Sequence, residues 1–509
     1  MKILQPSLTP AFRAACALIA ASICVFAQST RSAEPAQDQA TRAFEKTVTL
    51  GGNQGVSLDH RFGQVRINGA SGHDVKISAS IRVQARSQAD ANDFAQKIQI
   101  EIQQSADGVH IRTIYPEQMN RWFSGGSHIS YSVDYDVAMP ADAPLWLRND
   151  FGNVDVSGVH GWTQAENGHG AMTVHDAGTA KLANSFGRIE LTTASGNCTI
   201  TNNNGAVSVT GVKGSLDVKN RFGAISISQI GGPVTISGGN GTVDVSDTAS
   251  NATITNSFGT VTGRNIKGNL SVRNSNGKVE ASDVSGNADL GTSFGEVQAE
   301  RVGGALQVED SNGEVRIQEA QGLATIKTSF GAVNATNLHR GANVITGNGN
   351  VSLTNVDGDV FAKTSFGSVH VQNIRGNLTV QDSNGPVTAE SVQGDAGVDT
   401  SFSGVTLSGV GGKIRVDNQN GAIEVTAAQA PGCKDISLKT SFSHILVRLP
   451  ASAGYRVTAR TSFGHISSDL PITSTGTMGQ DSLNGTIGSG ACTLELTNSN
   501  GNIQIAKAQ

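Results

Sequence analysis

The chain has 509 residues, a formal net charge of −5 and only 16% charged residues. No long run of one sign occurs, which argues against nucleic acid as a partner. Gly is abundant at 61 and aromatic residues are few at 5%, a composition that suits a loop-rich or repetitive chain better than several ordinary domains.

Residues 1–27 read as a secretory signal peptide. Lys2 and Arg13 precede the apolar stretch 14–27, and Val25-Phe26-Ala27 supplies a small-residue cleavage site. The stretch is short for a membrane span. The expectation is an exported protein of the periplasm, outer cell envelope or extracellular space, with no transmembrane span after cleavage. Residues 28–40 are polar and read as a flexible lead-in.

Residues 41–150 read as an N-terminal β-rich domain. Strand patterns cover 44–58, 64–67, 75–83 and 109–115, and 88–98 is a short helix with Asp90 near its start. The stretch 129–139 alternates as Tyr131, Val133, Tyr135 and Val137. The loop 116–127 carries Arg121-Trp122-Phe123 ahead of Ser124-Gly125-Gly126. Large rings in such a segment are a candidate partner contact; the structural alternative folds them back as a plug on the end of the array.

Residues 151–429 are strictly periodic. Phe recurs every 36 residues at Phe186, Phe222, Phe258, Phe294, Phe330, Phe366 and Phe402. Midway stand Asn204, Asn240, Asn276, Asn312, Asn348 and Asn384, with Asn420 completing the series. The unit is therefore 18 residues, alternate copies having Ser-Phe-Gly-like or Ser-Asn-Gly-like corners, and the period holds without insertion from Gly187 to Gly421. That is the signature of a solenoid. Within one unit Val297 and Ala299, then Leu306 and Val308, alternate with polar residues, so each coil holds two short strands. The slot of Val297 is β-branched in every copy from Val207 to Ile423, as a packed pleated face prefers. At about 4.8 Å per coil the regular part is about 60 Å long.

The Phe series has two readings: an exposed stripe for adhesion or self-association, or a rib inside the coils. Strand parity puts Phe294 on the side of Ala288 and Leu290, and six residues earlier Ala often precedes Phe where Leu or Ile precedes Asn. The favoured expectation is burial, with Phe294→Ala costing about 3–5 kcal/mol.

Residues 430–509 break the period, since Phe442 and Phe463 are 21 apart, and read as an irregular cap that blocks end-to-end growth. Cys433 and Cys492 each precede a strand-like stretch and are a candidate disulfide in an oxidising compartment. Cys198 fills a slot otherwise held by Leu or Val and reads as a buried thiol. His444 and His465 occupy matching slots after Phe442 and Phe463. Neighbouring strands would make them a possible metal pair, but surface histidines are the favoured reading.

At this point the chain resembles the bacterial "putative adhesin" family of β-strand-repeat proteins of unknown function. The carriers are Gly63-Gln64-Val65-Arg66-Ile67, the Ser-Phe-Gly and Ser-Asn-Gly corners, Leu449-Pro450, Asp469-Leu470-Pro471-Ile472, Gly485-Thr486-Ile487-Gly488 and Asn500-Gly501-Asn502-Ile503-Gln504-Ile505. The resemblance implies an exported or envelope-associated β-solenoid and brings no catalytic residue with it.

The chain carries no nucleophile elbow, phosphate loop, metal-protease helix or zinc knuckle. The expectation is an all-β, non-enzymatic solenoid without cofactor or metal. Its partner would be a protein or glycan of the cell envelope or surface, with self-association as a further option. Two other readings stay open. A calcium-binding β-roll would need repeated Gly-Gly-x-Gly-x-Asp, approached only at Gly238–Asp244. A polysaccharide-acting β-helix would need paired carboxylates at a groove.

Overall fold

The computed structural model describes residues 38–116, 129–428, 432–474 and 479–508. The signal-peptide segment and the Arg121-Trp122-Phe123 loop lie outside the described residues.

Each 18-residue unit forms two strands, for example Val297–Val302 and Leu306–Asp310. Alternation sends Val297, Ala299, Leu306 and Val308 into the core and Gln298 and Glu309 outward. Because every copy repeats the pattern, each strand pairs in parallel with the one a coil later. Val279 faces Val297, which faces Val315; Ala288 faces Leu306, which faces Ala324. The result is two long parallel sheets, one per strand of the coil, whose inner faces share a single core of Val, Ile, Leu and Ala. An all-β solenoid is what the period demands: no single coil can bury its own inner face, so stability comes from the neighbours.

The N-terminal segment continues these sheets. Val65–Ala70 lies between Val154–Ser157 and Ser130–Pro140 in one sheet, and Gly55–Asp59 pairs with Leu145–Phe151 in the other. Residues 145–157, on both sides of the expected boundary at 150, thus belong to one stretch of the array. Pairing turns antiparallel only at the far end: Ser130–Pro140 with Asp74–Ala85, then Asp38–Thr49, and Gln99–Gln104 with Gly108–Ile114. Three details differ from the sequence reading. The stretch 44–58 is two strands divided by a turn at Gly51–Asn53, Asp38–Ala40 belongs to a strand, and Gln99–Gln104 is an additional strand.

The helix Gln88–Lys97 packs on Asp38–Thr49 and Asp74–Ala85 through Ala91 and Ala95. Ser87 is its N-cap and accepts a hydrogen bond from the amide of Asp90, which lies in the first turn as expected, at 3.1 Å. This covering blunts the sheet end against further strand addition. Below it His60, 2% exposed, lies 3.0 Å from the Thr113 hydroxyl and edge-on to Tyr135. Burial drives its pKa down to about 4, partly offset by backbone hydrogen bonds, and pushes the Tyr135 phenol up to about 12.

The C-terminal end does not stack in chain order. After Ile436–Phe442 and Ile445–Leu449, the next coil position is taken by the last strands of the chain, Cys492–Asn500 and Ile503–Lys507. Tyr455–Phe463 and Ile466–Ser468 come one place further out. Ser482–Ile487 then closes the edge in antiparallel fashion. A disulfide joins Cys433 to Cys492 across a separation of 59 residues. It ties the start of the inserted strand to the segment leading into Ile436–Phe442. Cys198 is buried as a free thiol, its pKa pushed up to about 11 by that burial.

Two expectations follow from these ends. A loop of this length gives the disulfide a chain-entropy contribution of about 4 kcal/mol. Cys433→Ser, or reduction, is expected to lower the melting temperature and to expose 436–507 to hydrogen exchange before the central coils. His60 has a folded pKa below its unfolded value of 6.5. Its contribution is therefore fully present above pH 6.5 and is lost as pH falls toward about 4, by up to about 3 kcal/mol. Denaturant unfolding across that window should show a shallower pH slope for His60→Gln than for the wild type.

Candidate binding surface

The two sheets are joined by two kinds of corner. At the first, the last inward residue of the strand is polar: Asn202, Asn220, Asn256 and Asn274, then Thr292 and Asp310, among others, all buried. These side chains satisfy the turning backbone. Asn220 Nδ2 donates to the carbonyls of Gly205, one coil earlier, and Gly223 at 3.0 and 3.1 Å. Asp310 instead accepts from the Ser311 and Gly313 amides at 2.7 and 2.5 Å, and burial raises its pKa against these bonds. The Asn residues thus mainly donate, and to the neighbouring coil as well.

Glycine follows at nearly every such corner, with Ser403 taking its place once, and the close approach of neighbouring coils favours it. Gly259 has φ +116°, and a Cβ on it would lie 2.3 Å from the Gly241 carbonyl oxygen. Corner backbones of successive coils thus touch directly, leaving no room for a side chain. Between the inward residue and this glycine stand one residue, most often Ser, and then Phe or Asn.

Here the expectation of burial is corrected. Phe294 is 61% exposed, and Phe186, Phe222, Phe258, Phe330, Phe366 and Phe402 are all exposed. Strand parity fails because it holds only while the chain is straight. The polar side chain two residues earlier is the last to point inward, and the chain then rounds the corner, so the ring turns outward. Ala288, Leu290 and their counterparts fill the core without it.

The parallel register gathers these rings into one column. Phe186 pairs with Asn204, Asn204 with Phe222, Phe222 with Asn240, Asn240 with Phe258, Phe258 with Asn276, and Asn276 bridges to Phe294. Asn312 and Asn384 bind back to the preceding corner, donating to the Ser293 and Ser365 carbonyls at 3.2 and 3.1 Å. Toward the N-terminus every coil brings a ring. Phe62 stacks on Phe151 with centroids 5.4 Å apart, Phe151 on His169 at 4.6 Å, and His169 on Phe186 at 4.8 Å, each pair within 12° of parallel. At the other end Phe442 pairs with Asn500 and Asn500 with Phe463. The alternation therefore survives where chain order does not: Asn500 arrives from the last strand to stand between two rings.

The column's immediate neighbours are mostly small and uncharged, the exceptions being Arg61 and Arg221, whose guanidinium groups lie over the Phe62 and Phe222 rings at 5.0 and 5.4 Å. Ser precedes Phe186, Phe258, Phe294, Phe330, Phe366 and Phe402, and Gly follows all but the last of these. Charges on the outer faces are largely paired among themselves, as in Arg301 with Asp283 at 2.7 Å and Lys278 with Glu280 at 2.8 Å.

The opposite corner is polar. Its residues Asp283, Arg301, Asn337, Asn355 and Asn373 hold positive φ of 53–59°. Their side chains link coil to coil: Asn373 to Asn355 at 3.0 Å and Asn355 to Asn337 at 3.1 Å. Beside them runs an open groove of about 870 Å³ that includes His339, Asp357 and Arg375. Asp357 meets both His339 and Arg375, at 3.2 and 3.1 Å, so the groove's charges are satisfied internally.

His444 and His465 are not on neighbouring strands, because Ile503–Lys507 lies between theirs. His444 is 3.5 Å from Glu424. Among the described residues no group of three or more His, Cys, Asp or Glu could hold a metal ion, and no helix is long and apolar enough to cross a membrane. Sequence reasoning missed His169 as a member of the column and Trp146 with Trp162, two exposed rings 5.5 Å apart on adjacent coils. The signal for His169 was there: Gly170 follows it as Gly follows most of the Phe residues, but the spacing to Phe186 is one residue short.

These features define a two-sheet β-solenoid with one aromatic edge and one polar edge. Within it, residues 334–506 match the family model Toastrack DUF4097, a domain of unknown function. The resemblance to adhesin-like β-strand repeats is thus carried by the last third of the chain. The crystal structure of a putative cell adhesion protein from Clostridium sporogenes aligns with 92% of this chain and 100% of its own. Its 9% identity and TM-score of 0.15 support no inference about fold or function. No functionally curated protein matches the chain.

Exposure of the column sets its energetics. Phe294→Ala is expected to change unfolding free energy by less than about 0.5 kcal/mol, while Leu290→Ala, in the core beside it, should cost about 2–5 kcal/mol. Parallel denaturant or thermal melts of the two variants check this.

Proposed function

We propose that the chain is an exported, non-enzymatic β-solenoid that serves in the cell envelope or at the surface as an adhesin-like binding and scaffold protein. The observation that carries this reading is the column of exposed rings, one in every second coil from Phe186 onward, along one edge of the array. Monomeric soluble proteins rarely leave an apolar patch this long without a partner. Its Ser, Gly and Asn surroundings resemble the adaptable, uncharged composition of protein-binding loops. The Cys433–Cys492 disulfide supports export, since such bonds persist in oxidising compartments. A binding role also accounts for rings and carboxamides in regular rows, an arrangement with no nucleophile or acid–base pair.

Fractionation of the native cell with surface-protease accessibility tests the location, and an exclusively cytoplasmic pool would overturn it. For the surface, the purified exported chain should bind envelope fractions, and a Phe258→Ser/Phe294→Ser/Phe330→Ser variant should lose that binding while keeping its melting temperature. Equal binding by both proteins would remove the column from the function.

A further inference from the structure

At the N-terminal end the molecule displays what fits between two rings two coils apart. His169 stands in the register position that Asn takes in later coils, paired with Phe151 on one side and Phe186 on the other. Its ring lies 4.6 Å from one and 4.8 Å from the other, within 11° of parallel to both. The interval is filled by one planar ring. From Phe186 onward the rings keep the two-coil interval, about 10 Å at the usual strand spacing, but Asn occupies the middle place. A carboxamide is shorter than a ring, and at Asn312 and Asn384 it is bound down to the preceding corner. Each interval between Phe rings therefore lacks the ring that His169 supplies.

We propose that a second copy of this chain fills these intervals, its Phe column entering the Asn places of the first in a two-fold aromatic zipper. This rests on the reading of the column as a contact surface. The match of period favours this occupant: a second copy brings rings at the same two-coil interval, so an offset of one coil brings ring after ring into register without further adjustment. Two-fold symmetry makes the contact self-complementary and closed. The size also fits. With about 200 Å² per Phe, the exposed fractions of the seven regular rings amount to roughly 800 Å², the contribution of one partner to a standard interface. Ser before Phe258, Phe294, Phe330, Phe366 and Phe402 and Gly after all but the last keep the side chains beside these rings small and uncharged, whereas Arg221 lies over the Phe222 ring at 5.4 Å and confines the open stretch to Phe258 onward.

The test fills the intervals from within. In Asn276→Phe/Asn312→Phe/Asn348→Phe the chain supplies its own middle ring, as His169 does. Sedimentation velocity of the purified exported chain over a wide concentration range should show a concentration-dependent dimer for the wild type. The zipper requires the filled variant to associate roughly tenfold more weakly or not at all, although its surface is more apolar. A general sticky patch would make it associate more strongly, and that result would overturn the proposal. The Phe258→Ser/Phe294→Ser/Phe330→Ser variant gives the same reading without added bulk: it should be monomeric with an unchanged melt, and a persistent dimer would count against the zipper. A wild type that stays monomeric throughout would sink the second-copy occupant alone. Envelope binding that depends on the Phe residues would still stand, so the two failures are distinguishable.

Discussion

Everything in this molecule depends on the direct contact between the corner backbones of successive coils. Gly259 rests on Gly241, and no Cβ fits between them. That contact locks the register, so each residue lies beside its counterpart one coil away. Chemistry at one position is thereby copied into a column: a glycine column, a buried polar column, an aromatic column and, across the coil, a row of carboxamides. Side chains that would be isolated in a globular domain acquire neighbours of their own kind. Whatever the surface contacts, it contacts as a row.

The buried polar column shows how the turn is made in a chain with so little regular turn chemistry. An inward Asn at the last strand position joins two coils by donating to a glycine carbonyl in each. Where Thr or Asp replaces it, the coil-to-coil link changes or lapses: Thr292 still reaches the Gly277 carbonyl at 3.2 Å, while Asp310 serves only its own corner. The Nδ2 hydrogen bonds compensate part of the lost water, while Oδ1 of Asn202, Asn220, Asn256 and Asn274 is buried without a hydrogen-bond partner. In return the ring two residues later is released from the core. The exposed column is thus a consequence of how the corner is hydrogen-bonded.

Much of the fold was legible because the period is local and repeated: one unit with β-branched Val297 and paired strands predicts all the others. The Cys433–Cys492 pairing also emerged from position and compartment. The direction of Phe294 did not, since alternation describes a straight strand and the decisive event is the turn after Thr292. The strand Gln99–Gln104 escaped because its exposure alternates weakly, with its two Ile residues only partly buried at the antiparallel end. The placement of Asn500 between Phe442 and Phe463 was beyond local reading, because it depends on which strand reaches the open edge. Yet its Ser-Asn-Gly corner at 499–501 carried the right chemistry for the place it takes.

That placement has a consequence for how the molecule is made. Synthesis proceeds from the N-terminus, so coils can settle one on another as they emerge until Ile445–Leu449 is in place. The next piece to appear, Tyr455–Phe463, belongs one position further out, and its proper neighbour is still some thirty residues away (Cys492 begins it). The growing array must therefore wait with an unfilled edge, and only the final strands complete it. A chain cut short before Cys492 loses more than its tail. It lacks the coil that joins the cap to the body, so finishing the molecule and sealing its end are the same event.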